Sequence, residues 1–216
     1  MARKIIDLTQ EISERTSNFP VYPQVRILPW ERRDVWGFEA EVLFAPTHVA
    51  THIDAPYHFL AQGKKAHELP LEKFILPARV LGPLSGRGKI ISLEELREKE
   101  GWEEIEEGMA VLLYTGFGER RGDPSYLSEF PGLSPEAAEA LAERKINVVG
   151  IDAPSIDPPD SRDFPAHKIF LARDILIIEN LCELGRLLGA KFELIALPLK
   201  IEGASGSPAR VLALLE

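Results

Sequence analysis

The chain has 216 residues, 45% of them hydrophobic and 27% charged, which is enough to bury a sizeable core and excludes a disordered polymer. Its formal net charge is −9 with a pI near 5.2, and no Lys/Arg-rich run occurs. Nucleic acid and anionic membrane are therefore poor partners, and a cation is a better one. The one cysteine, Cys182, rules out an intrachain disulfide, and in "ENLCEL" it reads as a small buried apolar side chain rather than a nucleophile.

In chain order, "KIIDLT" (4–9), "VRILPW" (25–30) and "FEAEVLF" (38–44) read as strands, the last with period-2 alternation. "ARVLGPL" (78–84) is another. "SLEELREKEG" (92–101) has a Ser cap, an acidic first turn and a terminal Gly, so it predicts a helix. "MAVLLYTG" (109–116) is a buried strand, and "SPEAAEALAERK" (134–145) is a helix with Ser at the cap and Pro in the first turn. "INVVGID" (146–152), "DILIIEN" (174–180), "KFELIALPL" (191–199) and "ARVLALLE" (209–216) follow as strands. The pattern predicts a single α/β domain over 1–216, on a mixed sheet that curls towards a barrel. "MARKIIDLTQEI" lacks the apolar run of a signal peptide, and no stretch reaches the roughly 20 apolar residues of a membrane helix. A cytoplasmic protein is expected.

Histidine is distributed unevenly. Three of the five lie within "HVATHIDAPYH" (48–58), where His48, His52, Asp54 and His58 all occupy even positions. Extended backbone would project all four to one side, and Pro56 argues against a helix. Two imidazoles and a carboxylate, with a third imidazole just beyond, suit a borderline divalent metal such as Zn²⁺ or Mn²⁺. Ordinary core or surface hydrogen bonding accounts more easily for one histidine than for three in register with an aspartate.

Two further stretches bear on the site. "DFPAHKIFLARDILIIENL" carries His167 and, twelve residues later, Glu179 at the end of an apolar strand. A carboxylate there needs a partner; a metal is one option, and capping the next turn is another. "GIDAPSIDPPD" (150–160) places Asp152 and Asp157 either in a site or, more simply, in turns. His67, among charged neighbours in "GKKAHELP", reads as solvated.

With these motifs the chain resembles the cyclase-like metal-dependent hydrolases, which include bacterial kynurenine formamidase and isatin hydrolase. Their signature, His-x-Gly-Thr-His-x-Asp-x-Pro-x-His, stands here from His48 to His58, with Ala50 replacing the glycine as a small change. "LLYTGF", "GIDAPSID", "FPAHKIFL", "IIENL" and "SGSPARVLAL" follow in family order, so the likeness spans nearly the whole chain. It implies that His48, His52 and Asp54 bind one divalent ion, and that Asp54 bridges to a second held by His167 and Glu179. His58 falls on the family's catalytic histidine, and Phe19 on a substrate-stacking position where a Trp is usual. The implied fold is a compact α/β domain around a curved, partly closed mixed sheet with flanking helices, assembled as a homodimer or homotetramer. The implied reaction is hydrolysis of a small amide, N-formyl-L-kynurenine to L-kynurenine and formate. Ring opening of a lactam such as isatin, or metal binding without catalysis, is the alternative. In the loop that tends to shape the substrate pocket, family members often carry Tyr-Pro-Gly-Asp, whereas "NFPVYPQV" here has Gln24 and Val25, which leaves the exact substrate open.

Overall fold

The computed structural model describes residues 4–215. Its elements in order are β1 (Lys4–Asp7), β2 (Arg26–Glu31), α1 (Arg33–Trp36), β3 (Ala40–Phe44), β4 (His52–Asp54), β5 (Ile75–Leu81), β6 (Ile90–Ile91) and α2 (Leu93–Arg97). Then come β7 (Ala110–Leu113), β8 (Gly132–Leu133), α3 (Pro135–Glu143), β9 (Val148–Ile151), α4 (Pro165–Leu171), β10 (Leu176–Glu179), β11 (Phe192–Pro198) and β12 (Gly206–Leu215). The strands β12-β11-β5-β7-β9-β10-β4 hydrogen-bond in that order, and β4 pairs back onto β12. Seven strands thus close into a mixed barrel, as the sequence predicts, and β1 adds to β12 from outside. β5, β7, β9 and β10 are mutually parallel, whereas β4, β11 and β12 pair antiparallel. β2 and β3 form a separate hairpin, and β6 and β8 a short parallel pair.

Alternation along the strands separates two cores. Ile53, Leu112, Ile178, Leu194 and Val211 belong to one, which fills the barrel. Leu113, Val149, Ile151 and Ile177 belong to the other, with Leu141 of α3 and Phe170 of α4. Every residue of β7, β9 and β10 is buried, because helices cover one face and the barrel interior the other.

The helices start where the sequence places their caps. The Ser134 hydroxyl accepts the Ala137 N–H at 3.2 Å, and Ser92 accepts that of Glu95 at 3.1 Å. The stretch 92–101 nonetheless yields helix only to Arg97, and Gly101 turns the chain at φ +91°. The strand expected over 38–44 begins at Ala40, after the left-handed Gly37 closes α1. At the start of helix α4 the cap position is held by Phe164, whose side chain offers no acceptor. The first N–H groups of α4 are instead satisfied by Asp157, 2.9 Å from the Ala166 nitrogen and 3.1 Å from that of His167. A cap supplied from so far back leaves no local signal. Among the described residues no helix is long and apolar enough to cross a membrane.

Candidate metal centre

Pairing of β4 with β10 sets His52 opposite Glu179 and Asp54 opposite Ile177. Their side chains share the outer face of the barrel wall, where α4 delivers His167, while Ile53 and Ile178 point inward. The expected one-sided projection therefore holds for His52 and Asp54. Beyond them the chain is not extended: Ala50 sits at φ +50°, and Pro56–His58 forms a 3₁₀ turn. This bent path still brings His48 to the cluster. Gly206 allows the approach, since a Cβ there would lie 2.5 Å from the His48 ring.

The result is a ring of alternating imidazoles and carboxylates. His52 Nε2 lies 3.5 Å from Asp54 Oδ1 and 3.4 Å from Glu179 Oε2. His167 Nε2 lies 3.3 Å from both Asp54 Oδ2 and Glu179 Oε1. His48 Nδ1 joins from the side, 2.7 Å from Asp54 Oδ1, and its Nε2 meets the Ser205 hydroxyl at 2.9 Å. The rear nitrogens of the two ring histidines are already engaged. His52 Nδ1 is 2.8 Å from the Ala50 carbonyl, and His167 Nδ1 is 2.6 Å from Asp157 Oδ2. Those acceptors hold the N–H on Nδ1 and aim both Nε2 lone pairs at the centre, the arrangement a metal-ligating histidine needs.

The electrostatics are those of a cation cradle. Burial works against the charged form of His52, yet Glu179 and Asp54 raise its pKa to about 9. His167 is likewise lifted well above 6.5 despite burial, by Asp157, Asp54 and Glu179. Burial and Asp54 push Glu179 up, but His167 and His52 bring it down to about 2. Asp54 is held well below its ordinary value, burial being outweighed by His48, His167 and His52. Its Oδ2 is nonetheless buried without a hydrogen-bond partner among the described residues. A fully desolvated carboxylate oxygen with no donor is costly, and a divalent cation would satisfy it. Among the described residues two potential ligand groups occur, His48–Asp54–His58 and His52–Asp54–Glu179, and Asp54 belongs to both. Nitrogen and carboxylate donors of this kind fit zinc or manganese.

His58 stacks on His48 with ring centroids 4.0 Å apart, and burial pulls its pKa down to about 4. It faces a cavity of about 390 Å³, shared with His48, His52, His167 and Glu179. Phe19 lines the cavity, edge-on to Phe130 at 6.2 Å. Gln24 is exposed and Val25 buried, and neither reaches the cavity. Tyr22 of the same loop does line it, its ring parallel to that of His48 at 6.2 Å. Phe59, Phe164 and Asn180 also line it, and sequence reasoning missed all of them. They come from separate loops and have no shared spacing.

The remaining candidates divide. Asp157 is a site residue, the carboxylate behind His167. Asp152 is a turn residue: it accepts from the Thr115 N–H and hydroxyl at 2.9 and 2.6 Å and from the Gly116 N–H at 2.8 Å. Glu179 does not cap the following turn; its Oε1 accepts the Ile156 N–H at 2.9 Å and its Oε2 faces His52. His67 is half-buried rather than solvated, and its Nδ1 accepts the Gly203 N–H at 3.1 Å. Cys182 is buried as expected, with its thiol pushed up to about 11 by that burial.

Comparison with known proteins agrees with this geometry. A family model described as "Putative cyclase" matches residues 6–158. A kynurenine formamidase of Salinibacter ruber is 34% identical over 208 residues, covering 95% of each chain. A crystal structure of an isatin hydrolase bound to the product analogue thioisatinate superposes with a TM-score of 0.88 at 26% identity, covering 99% of this chain and 92% of that one. A structure described as a "Potential Metal-Dependent Hydrolase With Cyclase Activity" gives a TM-score of 0.82 at 27% identity, over 100% and 99%. By sequence, by fold and by the motifs that line the centre, the chain belongs to the cyclase-like metal-dependent hydrolase family.

Proposed function

We propose that the chain is a metal-dependent hydrolase of amide C–N bonds that converts N-formyl-L-kynurenine and water into L-kynurenine and formate. The observation that carries this reading is the inward-aimed imidazole–carboxylate ring at the wall of an aromatic-lined cavity. The full-length kinship with a kynurenine formamidase supports the substrate. His48, His52 and Asp54 would hold one divalent ion, and Asp54, His167 and Glu179 a second, with Zn²⁺ favoured over Mn²⁺. Such ions supply Lewis acidity toward a water and toward the amide carbonyl oxygen.

The chain's own residues do the rest. With its pKa near 4, His58 is neutral at pH 7 and can accept the proton of the attacking water. It then returns that proton to the departing amine nitrogen. Phe19, Phe59 and Phe164 present ring faces and edges to an aryl substrate, and a cavity of about 390 Å³ matches a small aromatic amide. The ordinary nucleophile is not required, since Cys182 lies outside this cavity and its raised pKa keeps the thiol protonated.

A panel of N-formylkynurenine, isatin and simple formamides, assayed with added Zn²⁺ or Mn²⁺, tests the reading. Fastest turnover of the formamide supports it. Fastest opening of the lactam favours the second reading, ring-opening hydrolysis, to which the isatin hydrolase fold match lends weight. No turnover at full metal loading overturns both. His58→Ala is expected to lower kcat by at least about 100-fold with metal content unchanged; loss of metal would instead make His58 a ligand.

A further inference from the structure

Asn180 follows Glu179 directly and lines the cavity, and the hydrolytic chemistry leaves it unused. Its backbone is pinned on both sides. The N–H donates to the Ala153 carbonyl at 3.0 Å, and its own carbonyl accepts the Thr51 hydroxyl at 2.7 Å. φ stands at +59°, a left-handed angle that asparagine tolerates better than most residues. The side chain is held as well, because Oδ1 accepts the Tyr126 hydroxyl at 2.9 Å. Tyr126 in turn accepts from Gln10 Nε2 at 3.1 Å, and the Gln10 N–H donates to the Thr51 hydroxyl at 2.8 Å. The four residues therefore form a closed circuit of hydrogen bonds, with Gln10, Thr51 and Tyr126 all buried. A satisfied buried network of this kind holds its members in one arrangement.

The circuit fixes which way the amide faces. Burial pushes the Tyr126 pKa up, so its hydroxyl keeps the proton that Oδ1 accepts. With Oδ1 engaged, the Nδ2 amino group is what Asn180 can offer the cavity. It donates to no group among the described residues, and it is not sealed off, since Asp54 Oδ2 is the one buried side-chain polar atom there without a partner. Asn18, the cavity's other side-chain amide, instead gives its Nδ2 to the Pro23 carbonyl at 3.3 Å. An oriented, uncharged donor beside the imidazole–carboxylate ring calls for an acceptor on the substrate. The two candidate substrates share one. N-formylkynurenine and isatin each carry a ketone on the ring carbon next to the one that bears the scissile nitrogen. Because Asn180 adjoins Glu179, a ketone beside the scissile bond comes to its amide more readily than one across the ring.

We propose that Asn180 is a specificity-determining residue whose Nδ2 donates to the ketone oxygen of an ortho-acyl anilide, with Tyr126 as its positioning residue. The assignment rests on the amide-hydrolase reading, and binding of uncleavable product analogues separates the two. The probes are 2-aminoacetophenone and its 4-isomer, equal in size and different in where the ketone sits, titrated by calorimetry into Zn²⁺-loaded protein. The matching pair, 2- and 4-acetylformanilide, reads turnover. The wild type is expected to prefer the 2-isomer in both assays. Asn180→Gly, which adopts the left-handed angle without strain, should cut that preference about 10-fold, the effect of one neutral hydrogen bond. Tyr126→Phe leaves the amide in place but free to turn, and should lose a smaller share. The ratio between isomers decides, because a merely structural change moves both isomers together. No preference in the wild type, or an unchanged ratio in either variant, overturns the proposal; should one variant fail to fold, the other decides. A binding preference that depends on Asn180, with neither formanilide cleaved, overturns the hydrolase reading and supports this one.

Discussion

Ala50 shows how much a single backbone angle can change a reading. From the sequence, Ala for Gly in the His-x-Gly-Thr-His signature looks like a small change of bulk. The structure puts that residue at φ +50°, where an L-residue pays about 1–2 kcal/mol and glycine does not. Ala50→Gly should therefore stabilise the fold by about 0.5–1 kcal/mol once glycine's greater unfolded-state entropy is offset. On a chain of this size that raises Tm by roughly 1–4 °C, read by calorimetry. A fall in Tm would show that the Ala50 methyl packs usefully against Val25 and Val49. His52 and Asp54 were legible because a strand's period of two put them on one face; Glu179, which pairs with His52, was legible as a strand-end carboxylate in need of a partner, and only the family resemblance made that partner a metal. His48 was legible only as a residue type; the bend that carries it depends on Ala50 and on the space left by Gly206.

Among the elements, α4 was the least legible and matters most to the site. It begins without a local cap because Asp157 serves that purpose from the preceding loop, accepting two backbone N–H groups and facing the His167 ring. One carboxylate thus fixes both where the helix starts and where its histidine points. Asp157→Ala should weaken divalent metal binding about 10–100-fold, measured by chelator competition, and also cost about 1–3 kcal/mol for the N–H groups left unpaired. Asp157→Asn keeps one acceptor oxygen, enough for the Ala166 N–H, but turns an NH2 toward the His167 N–H and ring, so it should recover part of the stability and little of the affinity. Unchanged metal affinity in both variants would confine Asp157 to capping. The strands fared better in the sequence because hydrophobic runs bounded by Pro and Gly mark buried parallel strands clearly. Barrel closure through β4 and β12 was expected only in outline, since it depends on a three-residue strand whose neighbours are set by long-range pairing.

Across the whole molecule, the cluster links stability to pH and to metal. Without a cation, His52 is raised from 6.5 to about 9, so the stability it contributes is complete below pH 6.5 and lost as pH rises through 9. Glu179 is lowered from 4.5 to about 2, so its contribution is complete above pH 4.5 and lost as pH falls through 2. Chelator-treated protein should therefore be most stable between about pH 4.5 and 6.5 and lose Tm from pH 7 to 9. A bound cation needs the imidazoles deprotonated, so metal-loaded protein should keep its Tm over that rise. The gap between the two, followed by scanning calorimetry, is expected to widen with pH; parallel curves would contradict the linkage.

The most direct test is the metal content of the purified protein beside Asp54→Asn, by elemental analysis after dialysis. Asp54 is shared by both ligand groups, so the wild type should carry two divalent ions per chain and the variant almost none. A variant that retains both ions, or a wild type that binds none when offered Zn²⁺ or Mn²⁺, would contradict the account.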